Sequence, residues 1–339
     1  PGNPFGGLPK RSAYFNQVRQ QHPNVLAVDA GDMMGWQPNA ERHRVLFDLV
    51  RHLGYDAVGI GDNDFVDGLR FLREMIREYD VPIVSAGVLE AAGRLPFGPA
   101  YRVIQIGTVR VGIIGIADPA AFTLMKPDQR SNITIDVPRE SLPLFLPKIR
   151  GEADLILVLS HGTLSHNRTL ARRFPEVDVI VGSYGSRPLF EPVIEGETLI
   201  VQSGNNGSHV GRLDLIVDDS NQITSYHGWL EPLLESLPDA PEVLGIVEAY
   251  RETLRTKAEQ VAELMSNEPR YQGETCRPCH EDQYRQWLTT AHAHAFQTLT
   301  DAGKDQSPEC LFCHTTGYGS PFGYLDQTVT PGLADVQCE

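Results

Sequence analysis

Short runs of β-branched and other apolar residues alternate with amphipathic stretches up to about residue 232, and this alternation sets the class of the fold. Runs at 25–29, 56–60, 81–85, 101–106, 109–117, 154–160, 177–181, 198–203 and 211–217 have the length and residue types of strands. Between them, 40–53, 68–79 and 165–174 carry apolar residues at the spacings of a helix with one buried face. Strands and helices in alternation predict an α/β layered domain. Several strands end in small or polar clusters: Asp29-Ala30-Gly31-Asp32, Gly61-Asp62-Asn63-Asp64, Ser160-His161-Gly162 and Gly182-Ser183-Tyr184-Gly185. Ligands of open α/β sheets bind beyond the carboxyl ends of the strands, so these clusters are expected to line one cleft.

A different pattern follows. Residues 241–265 read as one helix, with Val247, Tyr250, Leu254, Val261 and Leu264 on a single stripe and Pro241 in its first turn. Past residue 266 there is no isoleucine, and valine occurs only at 329 and 336. A segment so poor in branched aliphatics can hardly close a core unaided. The chain therefore divides into an α/β domain at 1–232, a linker and bridging helix at 233–269, and a small, mostly helical segment at 270–339.

Composition narrows the partners. With 339 residues, of which 41% are hydrophobic and 22% charged, the chain has the makeup of a globular protein. A formal charge of -15 argues against nucleic acid or an anionic lipid surface and would attract a cationic partner. No apolar run approaches the ~20 residues that span a bilayer.

The cysteines bring in chemistry. Four of the five form Cys276-Arg277-Pro278-Cys279-His280 and Cys310-Leu311-Phe312-Cys313-His314, two C-x-x-C-H units that carry the attachment signature of c-type haem. Thiols three residues apart lie on one side of a helical turn and can both add to one haem, and the adjoining histidine is an axial ligand. A zinc ribbon uses paired C-x-x-C units about 15–20 residues apart, closer than Cys279 and Cys310, and it gives no reason for the two histidines. Two disulfides explain the histidines no better. The fifth cysteine, Cys338, is expected to open a third C-x-x-C-H unit, the alternative being a lone free thiol. Between the signatures, the helix-prone stretch from Trp287 to Phe296 holds His292 and His294. On one helix these lie about 200° apart, so both can hardly serve one iron.

The stretch from Glu274 onward, with the Trp-to-His helix, the Thr315-Thr316-Gly317 that follows the second signature and the final Val336-Gln337-Cys338-Glu339, resembles the multihaem cytochromes of the cytochrome c-554 family. That resemblance implies at least two haems c and makes His292, five residues after Trp287, the distal ligand of one of them. It also implies a further haem signature continuing from Cys338. Haem of this type is attached outside the cytoplasm, so the protein is expected to be periplasmic or extracellular and to exchange electrons with redox partner proteins.

The α/β part resembles the calcineurin-like metallophosphoesterases, in particular the exported 5'-nucleotidase branch. The resemblance rests on Gly6-Gly7-Leu8, the run from Asn24 to Asp32, the run from Gly54 to Asp62, Ser160-His161-Gly162, the run from Val177 to Gly182, and Gln202-Ser203-Gly204 leading to Gly211-Arg212-Leu213-Asp214. It implies a two-sheet sandwich flanked by helices. It also implies a cage of aspartate, asparagine and histidine around two divalent metals that activate a bridging water. The first Asp-x-His strand of that cage would lie upstream of Pro1. Asp32 matches the bridging aspartate, and His161 is kept. The family's Gly-Asn-His-Glu reads Gly61-Asp62-Asn63-Asp64, its Ala-Asn-Val reads Ala86-Gly87-Val88, and its Gly-His-x-His reads Gly182-Ser183-Tyr184-Gly185. Asp32, Asp62 and His161 are left as candidate ligands, too few for a tight two-metal cage. His166 and His209 are expected on exposed loops, and Trp36 and Tyr184 in ordinary loop packing. Two functions stay open. The first is an exported multihaem cytochrome carrying a degenerate phosphoesterase-like domain, whose cleft serves as scaffold or takes a small molecule. The second is a metal-dependent phosphoesterase, nucleotidase or sulfur-compound hydrolase coupled to a cytochrome.

Overall fold

The computed structural model describes residues 6–185, 187–205, 207–264, 273–305, 308–320 and 323–337. The chain forms two compact units, Pro1–Ile246 and Val247–Glu339.

In the first unit the strands are β1 (Val28–Asp29), β2 (Ala57–Val58), β3 (Val88–Glu90), β4 (Tyr101–Ile106), β5 (Val109–Ala117), β6 (Ile133–Ile135), β7 (Leu155–His161), β8 (Val179–Gly182), β9 (Val193–Glu195), β10 (Thr198–Val201), β11 (His209–Val217) and β12 (Ile223–Pro232). The helices are α1 (Leu8–Gln21), α2 (Ala40–Leu53), α3 (Leu69–Glu78), α4 (Pro127–Arg130), α5 (Pro138–Glu152) and α6 (Leu164–Arg173). Six strands form the main sheet in the order β4-β5-β7-β8-β10-β9, with the four central strands parallel and antiparallel strands at both edges. β1 and β2 pair in parallel as a second, small sheet, and β11 and β12 form a long antiparallel ribbon.

The side chains of β5 show why these layers stack. Val111 and Ile113 join Ala30, Ala57, Val84 and Leu159 between the sheets. Ile114 and Ile116 face Leu142, Leu146 and Ile149 of α5 and Leu170 of α6. Burial on both faces accounts for the unbroken apolar run of this strand. A third cluster, with Phe47 of α2 and Leu72 and Met75 of α3 against Val58, Ile60 and Ile83, covers the outer face of the small sheet. The order helix, sheet, sheet, helix is the sandwich expected from the sequence.

The predicted strand at 81–85 is reduced to a single parallel bridge between Val58 and Ile83. Pro82 has no N–H to continue a ladder. α1 and α5 were not among the predicted helices. α1 buries only Ser12, so no apolar stripe marks it. α5 contains Pro143 and Pro147, residues that normally end a helix, but both sit on its exposed face, where a carbonyl left without its helical partner is open to solvent. β12 has an exposed outer half and carries little strand pattern.

The helix expected at 241–265 is α7 (Pro241–Leu264), with Val247, Tyr250 and Leu254 half-buried along it. In the second unit, α8 (Gly273–Cys276), α9 (Glu281–Leu288), α10 (Ala295–Asp301) and α11 (Pro308–His314) surround a small core of Phe296, Leu299, Leu311, Tyr324, Leu333 and Ala334. The stretch from Trp287 to Phe296 is not one helix. The hydroxyls of Thr289 and Thr290 bond back to the carbonyls of Gln286 and Trp287, both at 2.7 Å, and Thr290 turns extended. Such local bonds compete with the helix ladder. Ala291–His294 follows as a 3-10 turn before α10 begins. No helix among the described residues is long and apolar enough to cross a membrane.

Candidate functional site

At the end of β1 the chain turns through Gly31 (φ +97), where a Cβ would lie 2.7 Å from the Ile60 carbonyl carbon, so only glycine fits. Asp32 follows in the left-handed region at φ 69, unusual for a residue with a side chain. Asp64 holds this bend. Its Oδ2 accepts the N–H groups of Asp32 (2.9 Å) and Gly61 (2.8 Å), and its Oδ1 accepts those of Met33 (2.8 Å) and Met34 (3.4 Å). One buried carboxylate thereby ties the loop after β1 to the loop after β2. Burial raises the Asp64 pKa and the charge of Asp32 adds to the rise, while the N–H donors work against it.

Asp32 is gripped in turn by Asn63, whose backbone N–H donates to Oδ1 (2.8 Å) and whose Nδ2 donates to Oδ2 (3.0 Å). Burial raises the Asp32 pKa as well, opposed by His161. His161, the last residue of β7, is fully buried, with the Phe122 and Tyr184 rings edge-on at 5.7 and 5.1 Å. Its Nε2 lies 2.9 Å from Asp62 Oδ1 and its Nδ1 lies 2.8 Å from Ser183 Oγ. The Ser183 hydroxyl donates to the Ala30 carbonyl at 3.0 Å. Serine has one proton to give, so Nδ1 must be the donor to Ser183. Nε2 is therefore the nitrogen turned toward the carboxylates. At Gly61 a Cβ would fall 2.7 Å from Asp32 Cβ and 2.8 Å from His161 Cε1, so the close approach of these groups depends on that glycine.

One ligand atom from each of Asp32, Asp62 and His161 lies within 4.8 Å of the others. Among the described residues no second group of three such side chains occurs. Two carboxylates and an imidazole suit one divalent cation in chemistry and spacing. Asp29 is not part of the group: its Oδ1 accepts the Gly31 N–H at 3.0 Å, and Arg11 and Tyr55 lie beside it. Burial pushes the Tyr55 hydroxyl up to about 12. His166 lies in the first turn of α6, not on an exposed loop, with Nδ1 3.1 Å from Asp118 Oδ2, and burial lowers its pKa. His209 opens β11 and meets the Ser208 hydroxyl at 2.9 Å. Trp36 is largely exposed.

In the second unit, Cys276 ends α8, and the N–H groups of Cys279 and His280 return to its carbonyl at 3.2 and 3.0 Å, so the first signature wraps one turn. Cys310, Cys313 and His314 close α11. The thiols of Cys276, Cys279 and Cys313 are exposed and that of Cys310 is half-buried. His314 Nδ1 donates to the Ala295 carbonyl at 2.8 Å, with Thr298 Oγ1 at 3.0 Å, leaving Nε2 for a metal. His292 is exposed, and its carbonyl accepts the Val336 N–H at 3.1 Å. His294 differs, since its Nε2 lies 3.2 Å from the Leu288 carbonyl. Phe312 stands 54% exposed next to Cys313, apolar surface that a bound macrocycle could cover. Paired thiols on one turn, an oriented histidine and uncovered apolar area fit covalent haem. Cys338 lies outside the described residues.

In sequence and fold the first unit is similar to calcineurin-like phosphoesterases of the 5'-nucleotidase type. Its sequence is 27% identical over 251 residues to the snake venom 5'-nucleotidase of Crotalus adamanteus, covering 66% of this chain and 42% of that protein. It is 25% identical over 275 residues to the 5'-nucleotidase of Homo sapiens, covering 73% and 47%. The crystal structure of the 5'-nucleotidase precursor from Thermus thermophilus superposes with a TM-score of 0.64 at 27% identity, over 74% of this chain and 54% of that one. The sulfate thiohydrolase SoxB of the same organism shares the fold, with a TM-score of 0.66 at 21% identity over 72% and 46%. The chain spans about half the length of the curated relatives it matches. Its C-terminal residues 275–339 match the family of cytochrome c554 and c-prime, so a 5'-nucleotidase-like domain and a cytochrome segment are joined in one chain.

Proposed function

We propose that this is an exported multihaem c-type cytochrome that carries electrons, and that its phosphoesterase-like domain has kept the fold while losing two-metal hydrolysis. The observation that carries the proposal is the hydrogen bond from His314 Nδ1 to the Ala295 carbonyl, which leaves Nε2 as the ligating nitrogen on the helix that also carries Cys310 and Cys313. A bound haem supplies an iron that alternates between ferric and ferrous states. The role of this chain is attachment and ligation: Cys276 and Cys279 would tether one haem and Cys310 and Cys313 another, and His280, His314 and His292 would supply imidazole ligands to iron. Export follows from the chemistry of haem attachment, and relatives named as venom proteins and as a precursor support it. The excess negative charge favours redox partners with a cationic docking face.

His314→Ala tests the assignment. Attachment needs only the thiols, so haem should stay bound to the variant while its spin state changes; an unaltered spectrum contradicts the axial role.

A second reading, an active metal-dependent phosphoesterase, nucleotidase or sulfur-compound hydrolase, draws on the convergence of Asp32, Asp62 and His161. Turnover of a panel of phosphate esters, together with a tightly bound metal pair, would favour it over the first.

A further inference from the structure

Residues 335–337 do more than close the small core of the second unit. We infer that Asp335, Val336 and Gln337 form a strap across the broken helix between the two C-x-x-C-H units, and that Asp335 is the positioning residue that holds His292 and His314 in register as imidazole ligands. The inference rests on the proposed reading of the second unit as a haem carrier, and it adds the device that fixes two of its ligands.

Asp335 stands at φ 68, in the left-handed region that a residue with a side chain adopts only where its surroundings hold it. Its carboxylate and the peptide group after it both meet the stretch from His292 to Phe296. Asp335 Oδ1 accepts the Phe296 N–H at 2.8 Å in the first turn of α10, and four residues earlier the His292 carbonyl accepts the Val336 N–H at 3.1 Å. The Val336 carbonyl accepts the Trp287 Nε1–H at 2.8 Å. The broken helix is therefore pinned at Trp287, at His292 and at Phe296. Between the last two pins lies the Ala295 carbonyl, which accepts the His314 Nδ1–H at 2.8 Å. The strap thus reaches one ligand through its own backbone and the other through its hydrogen-bond partner.

Both C-x-x-C-H units anchor the strap in return. The Thr316 hydroxyl, two residues past His314, donates to the Asp335 carbonyl at 2.9 Å and accepts the Gln337 N–H at 2.8 Å. Gln337 Oε1 accepts the Gly273 N–H at 3.0 Å, at the start of the short helix that ends in Cys276. Outer partners of this kind orient a metal-bound histidine, and their loss weakens ligation.

Cyanide titration and optical potentiometry of the haem-loaded full chain test this. Asp335→Gly keeps the left-handed backbone and removes the acceptor of the Phe296 N–H. The variant should retain covalent haem, bind cyanide about 10–100-fold more tightly than wild type as a loosened imidazole gives way, and show a shifted midpoint potential. Asp335→Asn keeps an oxygen for Phe296 and tolerates the same backbone, so it should restore the wild-type values. Thr316→Val, which releases the strap at two of its backbone groups, should reproduce both changes and decides the matter if Asp335→Gly does not mature. Wild-type cyanide affinity and potential in a folded Asp335→Gly or Thr316→Val, even with a lowered melting temperature, reduce the strap to a structural element and overturn the inference, while the electron-transfer reading stands. A wild-type chain without covalent haem removes that reading and the inference together.

Discussion

Asp64 and Ser183 hold the cleft together without belonging to the group of Asp32, Asp62 and His161. Removing the Asp64 carboxylate leaves four backbone N–H groups without a partner, each costing about 1–3 kcal/mol if it stays buried. Asp64→Ala should therefore destabilise the first unit by several kcal/mol, seen as a lowered urea midpoint, and no wild-type-like midpoint should be recovered. The surface pair Arg110 and Asp154 makes a pH prediction. The Arg110 hydrogen bonds, at 2.7 and 3.1 Å from the guanidinium and 2.8 Å from the backbone N–H, lower the Asp154 pKa to about 2. A depressed carboxylate stabilises the fold above its unfolded pKa of about 4 and loses that contribution as the pH falls toward 2. The stability difference between wild type and Arg110→Ala should be constant above about pH 4 and shrink below it; a difference that grows on acidification contradicts the pairing. Asp32, Asp62 and His161 could be picked out of the sequence because each stands at or shortly after a recognisable strand end. The roles of Asp64 and Ser183 could not, because one acts on backbone N–H groups of a distant loop and the other through the choice of a tautomer.

Strands and helices differ in how openly the sequence announces them. β5 was plain, since its residues are buried on both sides, and its glycines show how tightly. A Cβ at Gly115 would lie 2.0 Å from the Val84 carbonyl oxygen, and one at Gly112 would lie 2.3 Å from Ile149 Cγ2. Gly115→Ala should push the two sheets apart, with a loss of more than ~2 kcal/mol and a lower melting temperature; unchanged melting contradicts the layer spacing. α5 was hidden by its prolines, yet it buries Leu142, Leu146 and Ile149. Leu146→Ala should cost ~2–5 kcal/mol, read from the denaturant midpoint. α1 carries almost no apolar signal and is held by polar reach instead: Arg19 donates to the carbonyls of Leu53 (2.8 Å) and Gly54 (2.6 Å) at the end of α2. Interactions between side chain and distant backbone of this kind leave no periodicity to read. The broken helix around His292 was missed for a related reason, the local bonds of Thr289 and Thr290.

Two compact units with different economies make up the chain. Among the described residues the first closes three apolar clusters of its own, whereas the second has one small cluster, with Cys310 packed against it and Cys276, Cys279 and Cys313 exposed. A change of character before the segment that matches the cytochrome c554 family was readable from where isoleucine and valine stop, and the family likeness of each part from its motifs. With a net charge of -15, electron exchange with a cationic partner should slow as salt is added, because screening shortens the reach of the attraction; a rate indifferent to ionic strength argues for a neutral docking face. The central claim is that this chain carries covalent haem, and the most direct measurement is a pyridine haemochrome assay on protein made with the c-type maturation machinery. A c-type spectrum amounting to at least two haems per chain is the predicted result. A chain that leaves maturation with no covalent haem contradicts the account.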